Sequence, residues 1–187
     1  SEIQRMVKKL SETLAPSTVR VTYSYVATIF HDAVRNRLIA RTPCDRIKLP
    51  EIVRTKLDPL TTDQVLALAD AMPARYRALV ILAAGTGMRE GECLGLTVDR
   101  VKWLERRIIV DRQLAEPPDS FVPEFAPPKT RASVRVVPLP AFVADELAAH
   151  IEAYGTGPDG LLFATEAGTP VRRRAIERSW RVAVAES

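Results

Sequence analysis

A chain of 187 residues, 47% hydrophobic and 27% charged, is long enough to bury a real core and too apolar for wholesale disorder. No apolar run approaches the roughly 18 residues of a membrane span and no signal peptide opens the chain; Cys44 and Cys93, its only cysteines, form no Cys-x-x-Cys suited to structural zinc, so a reducing cytosol fits best. The net charge of +4 is mild, yet 21 of the 27 basic residues are arginine, whose planar fork matches phosphate; a high-GC codon bias explains that excess equally well.

Glu2 to Leu14 is predicted helical, with Ile3, Met6, Val7 and Leu10 as its apolar stripe. Pro16-Ser17-Thr18 opens a second helix in which Val19, Tyr23, Val26, Phe30 and Val34 recur at helical spacing. Arg20, Thr28, Asp32 and Arg35 fall between them, and the helix should fade between Asn36 and Ala40. Residues 50–60 read as a linker, because Glu51-Ile52-Val53-Arg54-Thr55-Lys56 has no helical period and lies between Pro50 and Pro59. Thr61 and Gln64 make a capping box for the next helix, with Val65, Leu66, Leu68 and Ala69 as its buried face.

Pro73 begins a further helix that should stop at Gly85-Thr86-Gly87, and a short helix follows from Arg89 to Leu96. The β-branched run Arg107 to Asp111 predicts a strand, with Ser133 to Leu139 as its partner. Between them, Glu116 to Pro128 contains five prolines and predicts a long exposed loop. Pro140 to Tyr154 returns to helical spacing, Gly155 to Gly160 turns, and Leu161-Leu162-Phe163 is a brief apolar segment. A final helix is expected over Val171 to Ala185, opening with three arginines, and no internal repeat is present.

Two segments carry chemistry. Arg89 follows a glycine-bounded turn at a predicted helix start, where backbone N–H groups already favour an anion, and Glu92 lies one turn on to hold its side chain. Lys129 follows two prolines and precedes a strand, a position from which an ammonium could protonate a leaving alkoxide. A phosphodiester cleaved without a divalent ion needs such cations to hold its transition-state charge. Taken singly, each is more simply a solvated surface residue.

In order, the two segments resemble the catalytic signature of the tyrosine recombinases, the phage-integrase family. Thr86-Gly87-Met88-Arg89, Glu92 and Leu96 match its first motif; Lys129-Thr130, Ser133, Arg135, Val137, Pro138 and Leu139 match its second. Pro16-Ser17-Thr18-Val19 and Leu38-Ile39-Ala40-Arg41-Thr42-Pro43 resemble the closing helices of the family's core-binding domain, with Thr42 where the family usually has Asn. The resemblance implies a mainly α fold with a small antiparallel β-sheet (α+β). Residues 1–49 would be the C-terminal part of the helical core-binding domain, 50–60 a linker and 61–187 the N-terminal part of the catalytic domain.

It also implies roles. Arg89 would stabilise a pentavalent phosphate, Lys129 would be the general acid and Glu92 the supporting acid, with no metal and no cofactor. Arg172, Arg173, Arg174 and Arg135 are the expected DNA contacts; Arg20, Arg35 and Arg37 are weaker candidates. The implied partner is double-stranded DNA, held by a tetramer that cuts and rejoins it through a phosphotyrosyl link, away from any membrane and in a bacterial cytoplasm. The family's His-x-x-Arg and nucleophilic tyrosine have no match: His31 is followed by Val34 and His150 by Ala153 at that spacing. Tyr23, Tyr25, Tyr76 and Tyr154 stand in other contexts and are expected to be packing residues. The chain, which does not begin with methionine, is therefore expected to be a fragment that binds DNA without cleaving it. A non-catalytic DNA-binding protein on the same scaffold, or a helical interaction module, stays open.

Overall fold

The computed structural model describes residues 1–53, 58–117, 119–120, 122–130 and 133–186. Arg54, Thr55, Lys56 and Leu57 of the predicted linker, and Pro118 and Phe121 of the predicted loop, lie outside the described residues. The chain divides into two compact units, Ser1–Asp58 and Pro59–Ser187. No described helix is long and apolar enough to cross a membrane.

In the first unit, α1 (Glu2–Ser11) is capped by the Ser1 hydroxyl, which accepts from the Gln4 N–H at 3.2 Å. It ends earlier than its apolar stripe predicts. The N–H groups of Thr13 and Leu14 both turn back to the Leu10 carbonyl, so the chain can swing into α2 (Pro16–Arg35), whose first position is Pro16. Ile3, Val7 and Val19 are buried, whereas Tyr23, Val26, Phe30 and Val34 are only half-buried. Tyr23 donates its hydroxyl to the Cys44 carbonyl at 2.7 Å. Tyr25 departs from its expected packing role, since it is 69% exposed. The segment after α2 is held to this unit by Gln4, whose amide exchanges two hydrogen bonds with the Lys48 backbone, and by Arg20 donating to the Pro50 carbonyl.

In the second unit, α3 (Thr62–Ala71) starts at the reciprocal Thr61–Gln64 capping box. Next, α4 (Ala74–Thr86) stops at Gly87, whose φ of 64° is the left-handed conformation that glycine adopts without a Cβ penalty. The short α5 (Glu90–Leu94) follows, then β1 (Val101–Lys102), β2 (Arg107–Val110), β3 (Gln113–Ala115), β4 (Glu124–Ala126) and β5 (Arg135–Pro138). Finally come α6 (Ala141–Tyr154) and α7 (Arg173–Glu186). The α5 helix is shorter than the predicted Arg89 to Leu96 because it closes at Gly95. There the backbone of β3 comes so near that a Cβ would lie 2.7 Å from the Leu114 nitrogen.

The predicted strand pair forms: β2 and β5 run antiparallel with Ile108 opposite Val137 and Val110 opposite Arg135, and β1 flanks β2. Ile108, Val110 and Val137 face the core, while Val136 points outward. The proline-rich stretch is not wholly a loop. Glu124–Ala126 pairs with Gln113–Ala115 as a second, two-stranded sheet. The prolines at 117, 123, 127 and 128 flank β4 rather than enter it, so no ladder donor is lost.

The core lies between the helices and the three-stranded sheet, with Leu82, Ile108, Val143, Leu147 and Phe163 almost wholly buried. The brief apolar segment belongs to it. Leu162 donates its N–H to the Leu96 carbonyl at 2.9 Å, and its own carbonyl pairs with the buried His150 Nε2 at 2.9 Å.

Candidate functional site

The glycine turn after α4 buries Met88 and delivers Arg89 to the N-cap of α5 in an extended conformation, with its side chain 62% exposed. Glu92, at the third position of that helix, is 2% exposed and reaches back to the Arg89 N–H at 2.9 Å. Such reach-back is half of a capping box; arginine has no side-chain acceptor with which to return the second bond. Glu92 Oε1 also accepts from Arg89 Nη1 at 2.9 Å.

Strand β5 completes the cluster. Arg135 lays its two terminal nitrogens along the Glu92 carboxylate, Nη1 to Oε1 at 3.0 Å and Nη2 to Oε2 at 2.8 Å. This is the two-bond fork in which a guanidinium binds a carboxylate most firmly. The carboxylate thus receives four N–H bonds. Arg135 contributes most to lowering its pKa, burial opposes, Arg89 adds the rest, and the Glu92 carboxyl falls to about 2. The same charge raises the Arg135 guanidinium above its ordinary value.

Ser133, buried to 5% exposure, places its hydroxyl 3.4 Å from Arg89 Nη1 and 2.9 Å from the Thr130 hydroxyl. Its carbonyl accepts from Arg135 Nη1 at 3.1 Å. Gly87, Arg89, Thr130, Ser133 and Arg135 together line an open recess of about 360 Å³. Its polar lining has two hydroxyls and two guanidinium groups, that of Arg135 forked onto Glu92, and suits an anion with several oxygens. Thr130 and Ser133 belonged to the second motif but had no expected role. The Thr-x-x-Ser spacing across a turn, which lets two hydroxyls meet, was the available signal.

Lys129 is exposed, and among the described residues no hydrogen bond or ion pair ties it to Arg89. Its turn leaves β4 through Pro127, whose carbonyl accepts from the Gln113 side chain at 3.0 Å, and continues into Thr130 at the recess. The four expected DNA contacts divide. Arg172 and Arg174 are exposed at the start of α7. Arg173 is engaged by acids: its Nε lies 2.9 Å from Glu90 and 3.3 Å from Glu177, and its N–H donates to Glu116. Arg135 is engaged by Glu92. Of the weaker candidates, Arg35 pairs with Asp32 and Arg20 with the Pro50 carbonyl.

Residues 58–187 match the model of the phage integrase family. The chain belongs to that family. A XerC-like tyrosine recombinase of Caldanaerobacter subterraneus subsp. tengcongensis is 27% identical over 166 residues, 80% of this integrase-family chain and 42% of that protein. The integrase of Mycobacterium phage L5 is 26% identical over 169 residues, 88% of the chain and 45% of that protein. The chain thus spans less than half the length of these relatives. Among solved structures, the Tn1549 transposon integrase in complex with a circular intermediate DNA superposes with a TM-score of 0.81 at 20% identity, covering 99% of this chain and 64% of that one. The lambda integrase bound to DNA gives 0.67 at 17% identity, covering 99% and 62%. At such identities these neighbours show the fold: a mainly helical integrase architecture with small antiparallel sheets.

Proposed function

We propose that this chain contributes to site-specific DNA recombination, the breaking and rejoining of strands through a phosphotyrosyl intermediate, as a tyrosine-type recombinase. The observation that carries the reading is the held state of Arg89. Glu92 and Ser133 occupy its Nη1 side, while the edge formed by Nε and Nη2 has no protein partner among the described residues. That edge suits two non-bridging oxygens of a DNA phosphate, and a guanidinium fixed beforehand stabilises charge without reorganising during reaction.

Lys129, on the turn leading to Thr130, is the proposed general acid that protonates the leaving 5′-oxygen. Glu92 supports Arg89, and Arg172 and Arg174 contact the backbone beside the site. Residues 1–49 act as part of the core-binding domain and 61–187 as part of the catalytic domain. No His-x-x-Arg occurs in the sequence and no tyrosine follows one. On this reading these 187 residues by themselves bind duplex DNA without cutting it, because cleavage needs a nucleophilic tyrosine and a second arginine in those contexts. The relatives support the partners. The Tn1549 and lambda integrases occur in DNA complexes, and lambda integrase occurs as a tetramer bound to a Holliday junction. A tetramer on recombination sites in the bacterial cytoplasm is the corresponding assembly.

Strand cleavage by the full-length protein tests the role. Arg89→Ala should lower cleavage by about 10²–10³-fold or more, the scale for losing one preorganised charge-stabilising group, while site binding largely survives. Undiminished cleavage rejects the assignment. For the chain itself, duplex affinity should fall steeply with salt; a flat salt dependence rejects DNA as partner.

A further inference from the structure

Arg135 was expected to face DNA, but its contacts point to another task. We propose that Arg135 is a positioning residue: by saturating the Glu92 carboxylate it keeps the outward edge of Arg89 available to a DNA phosphate. This rests on the functional reading above.

The argument is one of competition. Glu92 is buried, charged and shared by two guanidinium groups. A buried carboxylate takes up the best fork within reach, because a buried charge left partly unpaired is strongly destabilising. Arg135 supplies that fork with both terminal nitrogens, at 3.0 and 2.8 Å, and is 31% exposed. Arg89 is left with a single side-chain bond to Glu92, through Nη1, and stays 62% exposed. Without Arg135, the stable alternative for Glu92 is to draw in Arg89 as its two-bond partner. That movement withdraws Nε or Nη2 from the recess.

Strand β5 fixes the arrangement through its register. Arg135 sits opposite Val110 of β2, and Ser133, two residues earlier, packs its hydroxyl against Arg89 Nη1. The Arg135 Nη1 also donates to the Ser133 carbonyl, so the groups bracketing Arg89 are themselves joined. Ser133 in turn meets Thr130, next to Lys129, through the paired hydroxyls. The start of β5 and Ser133 just before it therefore hold the arginine and steady the end of the turn bearing the lysine.

The test uses this chain, with three readouts: the ¹³C titration of the Glu92 carboxyl, the ¹⁵Nε–H resonance of Arg89, and the slope of log affinity for a DNA duplex against log salt. Arg135→Gln should move the Glu92 midpoint upward from about 2 and shift the Arg89 resonance. Arg89→Ala should reduce the salt slope by about 1, the signature of one lost phosphate contact. Arg135→Gln should reduce the slope in the parent chain but not further in the Arg89→Ala background. Arg135→Lys keeps a cation beside Glu92 without the fork. It should hold the Glu92 titration low yet still shift the Arg89 resonance, and it carries the test alone if Arg135→Gln fails to fold.

An Arg89 resonance unchanged by both substitutions overturns the proposal. So does an equal slope loss from Arg135→Gln with and without Arg89, which would make Arg135 a direct DNA contact. If Arg89→Ala leaves the slope intact, the functional reading fails and the purpose assigned to Arg135 fails with it. The two failures stay distinct, because the Arg89 resonance reports the coupling whether or not DNA binds there.

Discussion

Ser1–Asp58 and Pro59–Ser187 treat their apolar residues differently. In the first unit Ile3, Val7, Val19 and Cys44 are buried, but Val21, Tyr25 and Ile29, four residues apart along one face of α2, remain 52%, 69% and 66% exposed. In the second, Leu82, Ile108, Val143, Leu147 and Phe163 sit within a contiguous core drawn from α3 through α7. Burial stabilises by about 25 cal/mol per Å² and must offset about 1–2 kcal/mol of backbone entropy per residue. The first unit has little apolar burial to set against that cost. The second concentrates stability, and it is the unit that holds Arg89, Glu92, Ser133 and Arg135. Side chains that must be fixed within a fraction of an ångström are best built on the element whose supports move least.

Truncating a side chain in the middle of the larger core strikes at that contrast directly. Leu147 is fully buried on α6. Leu147→Ala should destabilise the second unit by about 2–5 kcal/mol, through lost transfer energy and a residual cavity, measured by urea unfolding. A loss below about 1 kcal/mol would mean that this core relaxes as easily as the sparse one, and the contrast would fail.

Acid should weaken the second unit through Glu92. In the folded chain the Glu92 carboxyl titrates at about 2. In an unfolded chain a glutamate titrates near 4.3. Because the folded value is the lower one, its contribution is fully present above about pH 4.3 and lost as pH falls towards 2. The size is on the order of 3 kcal/mol. Urea unfolding between pH 5 and about 2 should show the loss in the second unit. Glu92→Gln should start less stable and lack this component; an identical acid limb in the variant would assign the loss to other carboxylates.

The same contrast explains what could be read from the residues alone. Helix positions in the second unit were legible because capping and packing agree there: Thr61 and Gln64 mark a start, and Gly87 marks a stop. The β2–β5 pair followed from β-branched alternation, which a half-buried sheet demands. The hairpin arm β4 was hidden, since its three residues, Glu124, Phe125 and Ala126, are too few to show a period and sit among prolines. In α2 the spacing of Val19, Tyr23 and Val26 marked the inward face, but it could not tell that Tyr25 and Ile29 would also stay apolar and uncovered. At the site, the motif supplied Arg89 and Glu92 as neighbours within one turn. That Glu92 is clamped from β5, 43 residues away, depends on tertiary packing that no local pattern encodes.

The smallest effect compares the two units through their helix caps. Thr61 caps α3 reciprocally, accepting from the Gln64 N–H at 3.3 Å while Gln64 accepts from the Thr61 N–H at 2.9 Å. Ser1 caps α1 one way, through the Gln4 N–H. Replacing either cap by alanine should cost about 1 kcal/mol. The spread of that cost should differ. Leu68 and Ala69 of α3 are anchored in the core, so Thr61→Ala should raise amide exchange only in the first turn of the helix. In α1, Ile3 and Val7 are the buried residues, and Ser1→Ala should raise exchange along the whole helix. Equal spreading in both would show that packing density does not govern how far local damage travels, and the two units would then differ in composition but not in rigidity.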